Sequence, residues 1–137
     1  RQLVVESTSY HRLNGAQAMR HLLSLERPPD AVFCFNDLMA LGAIRTLHEA
    51  GLRIPEDVAV VGFDDIEDGR FASPSLTTIA PDKKQIGTVA VSLLIDRING
   101  TLKDSPRRVD IPFHLVIRES TAGIGAAEKI IVPPTLL

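Results

Sequence analysis

The sequence predicts an α/β fold in three layers, in which helices flank a parallel sheet. Two unbroken apolar runs, residues 31–35 and 58–63, have the length of strands and lack the alternation of a sheet with one wet face. We therefore expect both faces of each strand to be covered. The segment between them, residues 38–50, carries apolar side chains at helical spacing. Strand, helix and strand in this order make a βαβ unit with parallel strands.

Shorter elements precede this unit, and local signals mark the ends of its helix. Residues 3–5 predict a strand and residues 13–23 a helix. Asn36 and Asp37 are placed to cap the helix that follows them, because short polar side chains accept hydrogen bonds from its free N–H groups. Gly51 stands where a left-handed residue ends the same helix.

A second set of elements follows residue 65. Residues 76–79 predict a short edge strand that Pro81 ends, because proline cannot donate to a sheet. Residues 82–99 predict a helix with one apolar stripe that must be buried somewhere, and Gly100 lies just past its end. The remaining predictions are extended segments at residues 109–112 and 114–117 and a partly disordered tail at residues 123–137.

The composition fits one soluble globular domain and argues against several functions. The chain has 137 residues, of which 45% are hydrophobic and 23% charged, enough for a single core. No apolar run reaches the roughly 18 residues of a membrane span. The net charge is −2 and the only basic doublets are 83–84 and 107–108, so we do not expect the chain to bind DNA by itself. Because it begins at Arg1 without an initiator Met, we expect a fragment.

No residue pattern predicts catalysis. The single cysteine, Cys34, lies in an apolar run, which is typical of a buried inert thiol, and without a disulfide partner it fits a reducing cytoplasm. No serine occupies a Gly-x-Ser-x-Gly elbow, and no phosphate-binding loop follows a strand. The histidines lack the spacing of metal ligands; they are His11, His21, His48 and His114. We expect no enzyme, no cofactor and no metal.

The predicted strand ends are the candidate binding edge. In open parallel α/β sheets, ligands bind at the carboxyl ends of the strands, where Asn36 and Asp64 stand. An amide and a carboxylate together suit vicinal hydroxyls or an amine, hence a polyol or sugar. Tyr10, on the same predicted edge, could stack on a ring. Alternatively, Asn36 only caps a helix, Asp64 only begins a turn, and Tyr10 is a surface or packing residue.

The helix after Asn36 is more apolar than one sheet-facing stripe requires. The excess indicates either a contact with a second subunit or burial within its own domain, and the pattern leaves both open. The apolar residues concerned are Leu38, Met39, Leu41, Ala43, Ile44 and Leu47.

Four segments closely resemble the LacI/GalR family of bacterial transcription repressors. They are residues 29–43, 51–65, 74–79 and 118–121, and the resemblance covers about residues 3–121. It implies a fold like that of periplasmic sugar-binding proteins, with two subdomains that close on an effector. This chain matches only the C-terminal part of such a protein.

The resemblance also implies a division of the chain. Residues 1–80 and 108–122 would form the C-terminal effector-binding subdomain, and residues 81–107 a crossover helix that packs on the missing N-terminal subdomain. Residues 123–137 would be a tail. Operator DNA would be bound only through the missing N-terminal head.

Individual residues take roles from the same resemblance. Asn36 and Asp64 would hydrogen-bond the effector, Tyr10 would lie over it, and Asp37 would remain mainly a cap. Lys83 and Ile86 match positions that often reach the pocket. The positions that match the dimer face of the family are Leu41, Phe71 and Ala72.

The function implied is effector binding and dimerisation within a cytoplasmic repressor. The effector would be a sugar or a nucleoside- or purine-like metabolite, and the partners a second copy of the chain or a higher homo-oligomer. Without its usual partner, the stripe of residues 82–99 also favours an oligomer, because exposed apolar side chains are costly. The alternative is the sugar-binding component of a transport system.

Overall fold

The computed structural model describes residues 3–101 and 107–133. Parts of the predicted crossover segment (102–106) and of the predicted tail (134–137) lie outside the described residues, as do residues 1–2. In chain order the elements are α1 (Arg12–Leu23), β1 (Ala31–Phe33), α2 (Asp37–Glu49), β2 (Ala59–Phe63), α3 (Glu67–Arg70), β3 (Thr77–Pro81), α4 (Lys83–Ile98), β4 (Phe113–Ile117), α5 (Glu119–Ala122) and β5 (Lys129–Ile131).

Within the described residues, five strands form one sheet in the order β1-β2-β3-β4-β5. β1, β2 and β3 run parallel, and β4 and β5 are added antiparallel. The α/β class, the flanking helices and the β1–α2–β2 unit are confirmed. The sheet is mixed rather than wholly parallel, since β4 pairs antiparallel with β3 and β5 antiparallel with β4.

The main core lies where α1 and α2 pack together on β2. Met19 and Leu47 are almost completely buried there. The two helices touch backbone to backbone: a Cβ at Gly42 would lie 1.9 Å from the Arg12 carbonyl oxygen, and one at Gly15 would lie 2.0 Å from that of Met39. Because no side chain fits at either contact, these two glycines set the distance between α1 and α2.

Strand β1 is not covered on both faces, contrary to the prediction. It is the sheet edge, and Phe33 is 58% exposed while Val32 is half-buried. The apolar run predicted full burial because such runs are typical of interior strands, but burial also needs a covering layer.

Three other expectations are wrong in detail. Residues 3–5 form no strand; they line a groove of about 590 Å³ against α1 and β1. β3 is a central strand rather than an edge strand. Its proline is tolerated because Pro81 stands at the last position of the strand, where the missing N–H costs little. The segment 123–137 is not only a tail, because it contains β5, whose Ile130 pairs with Val116.

Helix α4 has no buried residue along its 16 positions, although its ends fall where the sequence predicts. Its exposed apolar side chains include Val91, Leu94, Ile95 and Ile98. Of the helices in the described part of the chain, none combines the length and apolar character needed to cross a membrane.

Candidate functional site

Asn36 occupies the predicted binding edge and already makes two hydrogen bonds. Its Oδ1 accepts from the Met39 N–H at 2.9 Å, which confirms the N-cap of α2. Its Nδ2 donates to the Tyr10 carbonyl oxygen at 3.1 Å and so ties the loop before α1 to this edge. Since an amide offers two donor hydrogens and two acceptor lone pairs, one of each is left for a ligand.

Asp64 lies level with Asn36, one strand away. Phe33 of β1 pairs with Val61 of β2, and Asn36 and Asp64 each follow three residues later. Asp64 and Asp65 have φ values of 110° and 49°, in the left-handed region that few non-glycine residues adopt. The backbone therefore turns sharply directly after β2; we call residues Asp64, Asp65 and Ile66 the β2 turn.

The backbone of the β2 turn is almost fully hydrogen-bonded. The Asp64 N–H donates to the Ile79 carbonyl oxygen at 2.9 Å. Lys83 Nζ donates to the carbonyl oxygens of Asp64 and Asp65 at 2.7 and 3.1 Å. These contacts hold a strained conformation that would otherwise be costly.

The two carboxylates of the turn differ in their partners. Asp65 Oδ1 accepts from Arg118 Nη2 at 2.7 Å, and Arg118, which is buried, also bonds Glu128 at 2.5 Å. The Asp64 carboxylate, in contrast, accepts no hydrogen bond from residues 3–101 or 107–133. It is the half-buried polar group of the turn with its acceptor sites open to a ligand.

Asp37 is not mainly a cap, which corrects the sequence-based role. It is 0% exposed, and its carboxylate accepts from the Thr78 hydroxyl at 2.6 Å and from the Ile66 N–H at 2.9 Å. Burial raises the pKa of the Asp37 carboxyl, and the hydrogen bonds from Thr78 and Ile66 oppose that rise. The helix N-terminus is capped by Asn36 instead.

Two aromatic rings stand beside Asn36. Tyr10 is exposed, and its ring centroid lies 6.3 Å from that of Phe35, with the ring planes tilted by 46°. Phe35, 74% exposed, was missed as a candidate because an apolar run predicts burial for all of its members. Its position directly before Asn36 was the available signal.

The other predicted residues are distributed around the edge. Lys83 lies against the β2 turn, with two of its three donor hydrogens occupied by backbone carbonyls. Ile86, one helical turn further on, is exposed. On the predicted dimer face, Leu41 and Ala72 are half-buried and Phe71 is 79% exposed.

The chemistry of the edge is that of binding. Cys34 is half-buried, and burial, followed by the charge of Asp37, raises the pKa of its thiol to about 12, so it is protonated at neutral pH. Within the ranges that the structure covers, no three His, Cys, Asp or Glu side chains cluster as a metal site would require. An open amide, an open carboxylate and two aromatic rings instead suit a small polar molecule.

Comparison with known proteins shows what the chain is similar to. The family model described as the periplasmic binding protein-like domain matches residues 1–121. The HTH-type transcriptional repressor PurR of Haemophilus influenzae is 46% identical over 115 residues, which cover 81% of this chain and 34% of PurR. The chain thus spans about a third of the length of that relative.

Three solved structures share the fold. The transcriptional regulator CelR in complex with cellobiose matches with a TM-score of 0.80 and 39% identity, over 88% of this chain and 36% of CelR. A LacI-type transcription regulator from Bifidobacterium animalis subsp. lactis matches with a TM-score of 0.74 and 42% identity, over 85% of this chain and 41% of that regulator. The lac repressor dimer bound to operator and the anti-inducer ONPF matches with a TM-score of 0.73 and 35% identity, over 82% of this chain and 34% of the lac repressor chain.

The match over residues 1–121 shows that the chain belongs to the periplasmic binding protein-like family. Its relatives within that family are LacI-family transcription regulators, as the four sequence motifs predict. These relatives are repressors rather than enzymes, in agreement with the expectation from the sequence, and they do not favour the transport-protein alternative.

Proposed function

We propose that this chain is the effector-binding and dimerising part of a LacI/GalR-type repressor, and that Asp64 and Asn36 hydrogen-bond the effector. The open carboxylate of Asp64 carries the proposal. Every backbone N–H of the β2 turn and the carboxylate of Asp65 have partners within the described residues, whereas the Asp64 carboxylate has none there. The Asp64 carboxylate oxygens are open to solvent, so a ligand with hydroxyl or amine groups can bond them without breaking a contact within the protein.

The effector class is a sugar or a nucleoside- or purine-like metabolite. Asn36 and Asp64 suit a pair of hydroxyl or amine groups, and the exposed rings of Tyr10 and Phe35 suit the flat face of a sugar or a base. The relative CelR is solved with cellobiose, which supports a sugar.

Helix α4 would complete the cleft in the longer protein. Its apolar side chains are uncovered, while Lys83 at its start holds the β2 turn. We place α4 as the crossover to an upstream subdomain, with Ile86 facing the cleft. Effector binding would shift the closure of the two subdomains and so the spacing of the DNA-binding heads, in a cytoplasmic protein that acts on operator DNA.

The effector test is calorimetry on the intact regulator with cellobiose, lactose, adenosine and hypoxanthine as probes. We expect at least one probe to bind, and Asp64→Ala to weaken its binding by about 100-fold, because a charged hydrogen-bond acceptor is lost. Asp30→Ala is the matched control, since Asp30 is exposed at the opposite, amino end of β1. Undiminished affinity in Asp64→Ala, or no binding of any probe, would contradict the proposal.

We propose that Leu41, Phe71 and Ala72 belong to a dimer face, and the exposure of Phe71 supports this second proposal. Leu41 and Ala72 are half-buried. The relative solved as a dimer on operator DNA is the lac repressor. We expect Leu41→Lys to shift the mass of the intact protein towards the monomer in light scattering, because a buried unpaired charge weakens an interface. Leu13→Lys, an exposed leucine of α1, is the control and should leave the mass unchanged.

A further inference from the structure

Asp37 connects the two strand ends of the candidate binding edge, one at Asn36 and the other at Asp64. It follows Asn36 directly in the chain, yet its carboxylate hydrogen-bonds the β2 turn, which belongs to the neighbouring strand. Oδ2 accepts from the Ile66 N–H at 2.9 Å, and Oδ1 accepts from the Thr78 hydroxyl at 2.6 Å. Thr78 Oγ1 in turn accepts from the Asp65 N–H at 3.3 Å. The two amides that follow Asp64 are thus held by Asp37, one directly and one through Thr78.

The space for this carboxylate is made by a glycine in β2. A Cβ at Gly62 would lie 2.2 Å from Asp37 Oδ1 and 3.0 Å from a methyl carbon of Leu76. No other residue type fits there without moving the carboxylate or the sheet. Gly62 therefore allows the fully buried carboxyl group of Asp37 to lie against the backbone of β2, at the base of the turn that carries Asp64.

A buried carboxylate contributes little to stability by itself. The cost of removing the carboxylate from water offsets much of the free energy that its hydrogen bonds contribute. Well-packed apolar side chains in its place often stabilise a core equally well or better. The Asp37 contacts instead fix a geometry. They link Asp37, which follows Asn36 in the chain, to Asp65 and Ile66, which follow Asp64. A ligand that bonds both Asn36 and Asp64 needs their separation held to within about 0.5 Å.

We propose that Asp37 and Thr78 are positioning residues for effector binding, which hold the Asp64 carboxylate at a fixed separation from Asn36. This inference rests on the proposed function of Asn36 and Asp64. Further contacts of the turn come from outside α2: Ile79 belongs to β3, Lys83 belongs to α4, and Arg118 follows β4. Asp37 alone among these belongs to the helix that Asn36 caps.

Thr78→Val in the intact regulator tests the role, with Thr77→Val as the matched control. Both threonines are buried neighbours on β3, and both hydroxyls are hydrogen-bonded, but Thr77 bonds Arg118 backbone atoms and Thr121 rather than the β2 turn. Using the probe that binds the wild-type protein, we expect Thr78→Val to weaken binding about tenfold or more and Thr77→Val to change it less than about twofold, at similar losses of stability. Thr78→Ser keeps the hydroxyl and should bind like the wild type.

Hydrogen exchange gives a readout that needs no effector. The amides of Asp65 and Ile66 should exchange about tenfold faster in Thr78→Val than in Thr77→Val. In Thr78→Val the Asp65 N–H loses its acceptor, and the Asp37 carboxylate that accepts from the Ile66 N–H loses its hydrogen bond from the Thr78 hydroxyl. If Thr78→Val does not fold, Asp37→Asn tests the contact with Ile66 at nearly the same volume, because an amide keeps one acceptor oxygen for Thr78 and offers only a donor to the Ile66 N–H. Weaker binding and faster exchange of the Ile66 amide are expected.

The results distinguish a failure of this inference from a failure of the proposed function. Unchanged probe affinity in Asp64→Ala overturns the proposed function. Loss of affinity in Asp64→Ala together with wild-type affinity in folded Thr78→Val or Asp37→Asn overturns the positioning role alone. Equal exchange rates at Asp65 and Ile66 in Thr78→Val and Thr77→Val also overturn it.

Discussion

Helices α2 and α4 start and stop on the same kinds of local signal but differ completely in burial. Asn36 and Asp82 cap their N-termini with a side-chain hydrogen bond to a backbone N–H three residues on, and left-handed Gly51 and Gly100 follow their ends. Eight of the 13 residues of α2 are buried, whereas none of the 16 residues of α4 is.

The difference separates what makes a helix from what makes a core. Caps and apolar spacing act within a few residues, so both helices form where these signals occur. Burial requires another surface, which α1 and β2 supply to α2 within this chain. For α4 we assign that role to the upstream subdomain of the longer protein, and the two helices should respond differently to the same substitutions.

The largest expected effect is that of truncating a leucine in each helix. Leu47→Ala in α2 should lower the free energy of unfolding of the 137-residue chain by about 2–5 kcal/mol, because Leu47 is fully buried and a cavity remains. Leu94→Ala in α4 should change it by less than about 0.5 kcal/mol, since Leu94 is exposed. Urea denaturation measures both.

The same pair of variants in the intact regulator sharpens the comparison. If α4 packs on an upstream subdomain, Leu94→Ala should become destabilising there while Leu47→Ala keeps its cost. A large cost of Leu94→Ala in the 137-residue chain would instead mean that α4 is buried in that chain, by folding back or by pairing with a second copy.

Glycine to alanine substitutions should have smaller effects of opposite sign. Gly42→Ala in α2 places a methyl group against the Arg12 backbone and should destabilise by about 1–3 kcal/mol through overpacking. Gly87→Ala in α4 meets nothing within 4 Å and should stabilise by about 0.5–1 kcal/mol, because alanine is the better helix former.

Thermal unfolding of the two variants gives the signs directly. A stabilising Gly42→Ala would contradict the close contact between α1 and α2. A destabilising Gly87→Ala in the 137-residue chain would contradict the uncovered state of α4.

Part of the candidate site was readable from the sequence. Asn36 and Asp64 stand at the ends of apolar runs, so their location at the edge of a parallel sheet follows from pattern alone. The partners of the β2 turn were not readable, because Arg118 is 53 residues from Asp65, and Thr78 is 41 residues from Asp37. Nothing near Asp37 in the chain distinguishes a buried carboxylate from a helix cap.

The sequence by itself determined the three longer helices α1, α2 and α4, the β1–α2–β2 unit and the family, since these depend on caps, apolar spacing and contiguous motifs, whereas the short helices α3 and α5 were not predicted. Tertiary structure decided the rest: that β3 is central, that residues 129–131 pair as a strand, that residues 3–5 do not, and that β1 has an exposed face. These outcomes depend on which surfaces are available to pair with or to cover an element. Such surfaces come from distant parts of the chain, and no local pattern encodes them.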